Sequence, residues 1–510
     1  MTTTVSTRPI SVEDVGSWDD EADVVVVGYG HAGVSAALGA LEVTPDVLVL
    51  ERGGGSEGTC GGILYLGGGT PMQHAMGWED SADNMATFLR ASLGPSVDEA
   101  KLQAYCQGSV DHFSWLVACG VPLISGPDAV GSPLMEPGED GFIDVGAQEY
   151  AGGGLLWTGG EQAYPFDELV PPVPRGHILR DPNENQDLLF EGAVLRRLSR
   201  AVDASTARIR YNMAVEHLIV DDAGAVVGLA ARCSGDTVHI RARRGVVLGT
   251  GGFIYNDDML AAHNPALLGA GKLGHGGQDG VGIRMAQSVG ADAIHMDTSD
   301  LTLIMYPPLS FARGLLVNSL GQRYINEDTY FGRIGAETLR QGGAAYLLLD
   351  EDIFVESSWR RPAWASDSLA VLESEIGLPP RSLESTVAYY NQFAEKGADP
   401  LFNKRPKYIQ PLRPSYAVID LRNETSARQL NPNVAAVDYA LGGFTLGGLR
   451  TTADSEVLDV SSRVIRGLYA AGRATSGLAV HGYCSGISLG DGTFFGRRAG
   501  QAAGRLGAAR

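Results

Sequence analysis

The chain has 510 residues, more than one hydrophobic core usually supports, with 44% apolar and 19% charged residues. Its formal charge of −21 argues against nucleic acid or an anionic membrane as partner, because both demand clustered Lys and Arg, and it favours a neutral or apolar substrate. Cys60, Cys106, Cys119, Cys233 and Cys484 stand singly, with no CxxC and no His/Cys cluster, so no metal or iron-sulfur site is expected.

The first 22 residues are Thr/Ser-rich and acidic, without the basic start and apolar core of a signal peptide. No apolar run of about 18 residues follows, so we expect a cytoplasmic protein with no membrane span. Asp23 to Gly28 reads DVVVVG, a β-branched run of the kind buried on both faces of a parallel sheet. The Ala-rich segment from Ala32 to Leu41 predicts a helix, and Asp46 to Glu51 (DVLVLE) a second buried strand, which together make a βαβ opening.

Between them, GYGHAG places Gly28, Gly30 and Gly33 in GxGxxG spacing, with His31 and Ala32 inside the loop. The first Gly makes the turn, the second lets backbone reach a pyrophosphate, and the third permits close helix packing on the strand. Glu51 ends the next strand, where a carboxylate accepts hydrogen bonds from adenosine ribose hydroxyls, and Arg52 follows it. His31 is expected to pack or to touch the pyrophosphate.

Residues 201 to 249 hold short strand candidates (ARIRYN, VVGLAAR, TVHIRAR and GVVLGT) spaced by Asp/Gly turns, an antiparallel excursion that returns to the main sheet. From about 285 to 435 the texture changes, with more Pro and aromatic residues and a helical pattern at Arg381 to Lys396. The last 70 or so residues resume Rossmann-like character. The fold class is therefore α/β, a Rossmann-type domain of residues 1–284 and 436–510 with an α+β cap inserted at 285–435.

Three further segments bear on the cofactor: ERGGGSEGTCGGI at 51–63, GTGGF at 249–253, and GLYAAGR at 467–473 ahead of GISLGDGTFFGRRAGQAAG. With GYGHAG, this set resembles the succinate dehydrogenase and fumarate reductase flavoprotein superfamily over essentially the whole chain. The resemblance implies FAD as cofactor, a substrate held between flavin and cap, and an electron acceptor that the sequence does not identify. It implies that Thr59, Cys60, Gly61 and Gly62 pass near the isoalloxazine, and that Ser488 and Leu489 give backbone N–H groups to the flavin pyrimidine ring. Thr250, Gly251, Gly472 and Arg473 complete the expected cofactor contacts. Members with covalent FAD carry a His just before the Gly-Gly; here Gly55, Ser56, Glu57, Gly58 and Thr59 occupy that stretch, so non-covalent FAD is expected.

Dicarboxylate-handling members of the superfamily grip their substrate with a His before Thr-Met-Gly-Gly and an Arg before the terminal Gly-x-Ser-Leu. The matching stretches here are GGFTLGG, with Gly443 and Phe444, and GYCSGISL, with Tyr483 where that Arg stands. Both charged grips are missing, which predicts an uncharged cleft lined by hydroxyls. VNSLGQRYINEDTYFGRIG (317–335) resembles the cap segment that carries a catalytic Tyr in the ketosteroid dehydrogenases of this superfamily, and Tyr330 is the match. Tyr306 and Tyr324 are nearby competitors.

Tyr483-Cys484-Ser485-Gly486 is similar to the Δ4-(5α) branch of the 3-ketosteroid dehydrogenases more than to the Δ1 branch. That resemblance implies a 3-ketosteroid substrate and a new C4–C5 double bond, with flavin N5 accepting hydride from C5. Tyr483 hydroxyl and Gly486 N–H would polarise the ketone, while Ser485 and Tyr330 form a relay for the C4 proton. Three alternatives stay open: a Δ1-dehydrogenase, a reductase of a small unsaturated acid, and a flavin-binding protein without turnover. His481 and Arg333 are polar groups near the motifs, for which a solvated or structural role is expected.

Overall fold

The computed structural model describes residues 7–56, 58, 62–123, 142–143, 148–178, 192–303, 308–355, 361–422 and 441–507. The β-branched run forms the strand Asp20–Val27, the glycine loop leads into the helix His31–Leu41, and Val47–Leu50 returns parallel to the first strand with Val24 opposite Val47. Every residue of the Val47–Leu50 strand is buried, which is why its sequence lacks polar alternation.

Among the described residues these strands belong to a nine-stranded sheet. Its parallel centre runs Arg208–Arg210, Val47–Leu50, Asp20–Val27, Asp236–Leu248 and Val464–Ala470. The excursion expected at 201–249 is present as Ala214–Val220, Val226–Cys233 and Asp236–Leu248, paired antiparallel. TVHIRAR and GVVLGT, read separately in the sequence, are one thirteen-residue strand. Residues 236–241 pair with the excursion and 240–248 with Asp20–Val27, the latter ladder carrying a register irregularity between Ala242 and Gly245.

The last helix, Ile487–Arg505, lies against His31–Leu41. Small residues set that approach: a Cβ on Gly39 would lie 2.2 Å from the Arg497 carbonyl oxygen, and one on Gly500 would lie 1.9 Å from that of Ala36. Its packing places the helix start beside the glycine loop. The return of the C-terminal segment to this sheet is what makes the cap an insertion.

The cap has its own core and its own antiparallel sheet, ordered Leu315–Val317, Tyr346–Asp350, Tyr416–Asp420 and Trp364–Ser366. The helices Phe331–Arg340, Leu369–Ile376 and Ser382–Ala394 accompany it, the last matching the predicted helical pattern. A small sheet of Gly271–Lys272, Leu441–Thr445 and Ser299–Leu303 lies where the chain enters and leaves the cap. A five-stranded sheet, Ile63–Tyr65 through Gly176–Ile178, went unread in the sequence. Its strands are two to five residues long, too short for alternation to show. Among the described residues no helix is long and apolar enough to cross a membrane.

Candidate active site

At the C-terminal ends of the central strands lies a cleft of about 700 Å³. Gly28, Gly30, His31, Ala32, Glu51, Arg52, Thr250, Gly251, Gly472, Arg473, Ser488 and Leu489 all line it. The loop is close-packed in the way the motif requires. A Cβ on Gly33 would lie 1.9 Å from the Gly28 carbonyl oxygen, and Gly28 itself sits at φ +98° against the Gly249 carbonyl. Glu51 braces the turn: its Oε2 accepts from Tyr29 N–H at 2.7 Å and its Oε1 from Gly53 N–H at 2.7 Å.

Arg52 sits on the same wall, its guanidinium donating to Asp279 at 2.7 Å and to the Gly277 carbonyl at 2.6 Å, so it ties the loop 277–279 across the rim. The His31 imidazole packs beside Gly58, with burial and then the Arg473 charge pushing it down to about 4, so it is neutral at physiological pH. Gly62 is buried at φ +68°. Thr59, Cys60 and Gly61 lie outside the described residues.

The cleft fits a dinucleotide. Its volume is within the range of small-molecule sites, and three buried polar atoms on its wall, Thr250 Oγ1, Gln278 Oε1 and Arg284 Nε, have no protein partner among the described residues. The first turn of the last helix adds donors. Its first intrahelical bond is from Gly490 N–H to the Gly486 carbonyl at 2.9 Å, which leaves the N–H groups of Ser488 and Leu489 ahead of it at the positive end of the helix. Ser488 N–H makes one long contact, 3.4 Å, to Tyr483 Oη. The sequence reading missed Gln278 and Arg284, although the Gly-rich run GHGGQDGVG (274–282) ahead of a helix was a usable sign.

That contact joins the cleft to a second, smaller cavity. It has a volume of about 160 Å³ and lies between the Ser299–Leu303 strand, the Phe331–Arg340 helix and the loop at His481 to Tyr483. Tyr330, at the start of the helix, and Tyr483 both line it. Tyr330 Oη and Ser485 Oγ are 3.1 Å apart. Burial, then the nearby Asp300 and Tyr483, hold the Tyr330 phenol well above its ordinary range, and burial followed by Asp300 does the same to Tyr483.

Ser485 and Gly486 are pinned by backbone. Ser485 N–H donates to the Thr158 carbonyl at 2.8 Å, and the Gly486 carbonyl accepts from Tyr65 N–H at 3.2 Å. Gly486 stands at φ +93°, where a Cβ would meet the Ile63 carbonyl oxygen at 2.8 Å, so only glycine fits this approach. Its own N–H finds no acceptor among the described residues. Tyr324 is removed from contention, because its hydroxyl bonds Thr338 Oγ1 at 2.7 Å inside the cap; Tyr306 lies outside the described residues.

Buried ion pairs hold the loop that presents Tyr330. Glu327 meets Arg323 at 2.8 Å and Lys404 at 2.9 Å, and Asp328 meets Arg405 at 2.8 Å.

The expectation of an uncharged cleft is corrected. Asp300, Arg333, Glu337 and Arg340 line the cavity, as does exposed His481. Asp300 comes from the Ser299–Leu303 strand, the two arginines and Glu337 from the helix behind Tyr330, and His481 from the loop ahead of Tyr483, none of them from the two motif positions where charge was sought. Arg333 is already committed, donating to the Tyr164 carbonyl at 2.8 Å and lying over the Phe166 ring, while Arg340 pairs with Glu337. At the motif position itself, Phe444 packs edge-on against Tyr483 at 5.3 Å and carries the Arg473 guanidinium on its other contact, 4.7 Å from the ring centre.

Residues 23–489 match the FAD binding domain family. The chain belongs to that family. It is an FAD-dependent oxidoreductase, in the superfamily that includes fumarate reductases. It superposes with a TM-score of 0.86 and 45% identity on the crystal structure of a 3-ketosteroid-Δ4-(5α)-dehydrogenase from Rhodococcus jostii RHA1 in complex with 4-androstene-3,17-dione, covering 98% of this chain and 99% of that one. It is 26% identical, over 90% of this chain and 95% of the relative, to 3-oxo-5-alpha-steroid 4-dehydrogenase from Comamonas testosteroni. A 3-ketosteroid Δ1-dehydrogenase from Sterolibacterium denitrificans shares the fold at TM-score 0.67 and 22% identity, covering 95% of this chain and 99% of that one.

Proposed function

We propose that this flavoprotein oxidises a 5α-3-ketosteroid to the corresponding 4-ene, with residues 285–435 as the cap that covers the substrate. The observation that carries the reading is the 3.1 Å contact between Tyr330 and Ser485, made by a tyrosine that lines, with Tyr483, the cavity joined to the FAD cleft. Bound FAD, held non-covalently by the glycine loop, Glu51 and the start of the last helix, supplies the hydride acceptor for C5.

The chain supplies the rest. A ketone raises the acidity of the neighbouring C–H most when donors to its oxygen strengthen as enolate charge develops. Tyr483 hydroxyl and the unpaired Gly486 N–H are those donors. Among the described residues Tyr483 Oη accepts a backbone contact from Ser488 and donates to no protein group, so its own proton stays available. The C4 proton passes to Ser485 Oγ as Ser485 gives its own proton to Tyr330 and Tyr330 releases its hydroxyl proton to the water side of the cavity, while the electron pair of the broken C–H bond becomes the new double bond. Neither hydroxyl is a strong base alone, which is why a pair is required.

Arg333 and Arg340, the arginines that line the cavity among the described residues, are both engaged by protein groups, which weighs against a dicarboxylate substrate. The test is product identity. Purified holoprotein turning over 5α-androstane-3,17-dione with an artificial acceptor should yield the 4-ene; a 1-ene product would overturn the regiochemistry, and turnover of succinate alone would overturn the substrate class.

A further inference from the structure

A relay of two hydroxyls moves a proton but does not keep it, because both groups are far weaker acids than water-exposed carboxyls. Some third group must hold the proton until it reaches solvent. The cavity has one suited to this, on a strand whose register shows how it got there.

Ser299–Leu303 pairs antiparallel with Leu441–Thr445, with Asp300 opposite Phe444 and Thr302 opposite Gly442. Leu301 and Leu303 pack in the hydrophobic cores, while the alternate residues Asp300 and Thr302 share the opposite face of the strand, where Thr302 Oγ1 donates to Asp300 Oδ2 at 3.2 Å. Asp300 is buried and lines the same cavity as Tyr330 and Tyr483. A Cβ built on Gly332 would lie 3.0 Å from Asp300 Oδ1 and 3.0 Å from Tyr330 Cζ. The carboxylate and the phenol thus face each other across the space that the missing side chain leaves.

We propose that Asp300 is the terminal proton acceptor of this site, taking through cavity water the proton that Ser485 and Tyr330 hand on from C4. The proposal rests on the function argued above. The C4–H bond breaks, its electron pair enters the C4–C5 bond, the proton moves from Ser485 to Tyr330 to the Asp300 carboxylate, and the hydride from C5 leaves with the oxidising equivalent that FAD provides.

The surroundings suit that role. Burial pushes the Asp300 carboxyl up to about 7, with the Thr302 hydroxyl and the Arg473 charge opposing the rise. The charged and ionisable groups that face it are Tyr330, Arg333, Glu337 and Arg340 from the helix side, His481 and Tyr483 from the final loop, and Arg473 beyond Phe444. Among the described residues Asp300 makes no ion pair, and a buried carboxylate left unpaired is costly to fold around. Asp300 also raises the cost of forming phenolate at Tyr330, so charge ends on the carboxylate.

The experiment uses the FAD-loaded enzyme. Infrared difference titration should show a protonated carboxyl band that disappears as pH rises through about 7 and is absent in Asp300→Asn. With the 5α-steroid, Asp300 must be ionised to work, so kcat/KM should rise with pH through the same range. Asp300→Asn should lower kcat about a hundredfold, leave KM nearly unchanged, and abolish this limb. Thr302→Val removes a bond that favours the charged form, so its limb should move to higher pH.

Asp300→Asn should melt no lower than the parent. An unchanged limb in Asp300→Asn, its loss in His481→Gln instead, or a carboxyl band insensitive to pH near 7 would overturn the proposal, as would a large drop in melting temperature. Absence of steroid turnover by the unsubstituted holoenzyme would sink the function reading itself, and this proposal with it, even if the infrared band titrates.

Discussion

Tyr330 Oη and Ser485 Oγ lie 3.1 Å apart, although their residues are separated by 155 positions and sit on different parts of the fold, one at the start of a cap helix and the other in the loop ahead of the last helix. Forming this pair requires the cap to close on the FAD-binding part. If the two hydroxyls act as one relay, their loss is not additive. Tyr330→Phe and Ser485→Ala should each lower kcat by about two to four orders of magnitude, and the double variant should be no slower than the slower single. Multiplying effects would show two independent roles.

In the proposed reaction Tyr483 polarises the ketone, and the proton belongs to Ser485 and Tyr330. Tyr483→Phe keeps the ring packed against Phe444 and removes only the donor, so kcat should fall by about two orders of magnitude while FAD stays bound. Turnover under saturating substrate, with the flavin-to-protein absorbance ratio as control, checks this.

The glycine loop makes a steric prediction. In Gly33→Ala the new Cβ would stand 1.9 Å from the Gly28 carbonyl oxygen, so the protein should emerge colourless or insoluble. Gly16→Ala meets nothing within 4 Å and should bind FAD like the parent. The absorbance ratio of purified material decides between them.

Much of the FAD site was legible because its signals are local. DVVVVG, GYGHAG and DVLVLE state strand, turn and strand in consecutive residues, and the structure returns them at Asp20–Val27, His31–Leu41 and Val47–Leu50. The five-stranded sheet was not legible, since strands of two to five residues carry no period. Asp300 escaped for another reason. SDLTL alternates like any half-buried strand, and nothing in it shows that Asp300 is buried against a cavity instead of facing solvent. Missing grips at two motif positions likewise said nothing about Arg333, Glu337 and Arg340, which reach the cavity from one helix.

The cap should show an acid limit to its stability. Burial pushes the Glu327 carboxyl up, but Arg323 and Lys404 together outweigh it and hold it down at about 2. A depressed carboxylate stabilises the fold above its unfolded value of about 4.3 and loses that contribution as pH falls toward the folded value. Glu327→Gln should cost about 3–5 kcal/mol at neutral pH, because buried Lys404 loses its carboxylate and Arg323 is left with Asp399 alone, and should flatten the dependence of stability on pH between those limits. Denaturant melts from neutral to strongly acidic pH measure it.

The central claim is that a saturated 3-ketosteroid delivers its electrons to the flavin through C4 deprotonation and C5 hydride loss. Anaerobic rapid mixing of the FAD-loaded protein with 5α-androstane-3,17-dione, unlabelled or deuterated at C4 or C5, tests it most directly. The flavin absorbance should bleach in a single turnover, more slowly with deuterium at either carbon, and the 4-ene should accumulate in equal amount. An oxidised flavin that persists in the presence of the steroid, or bleaching indifferent to both labels, would contradict the account.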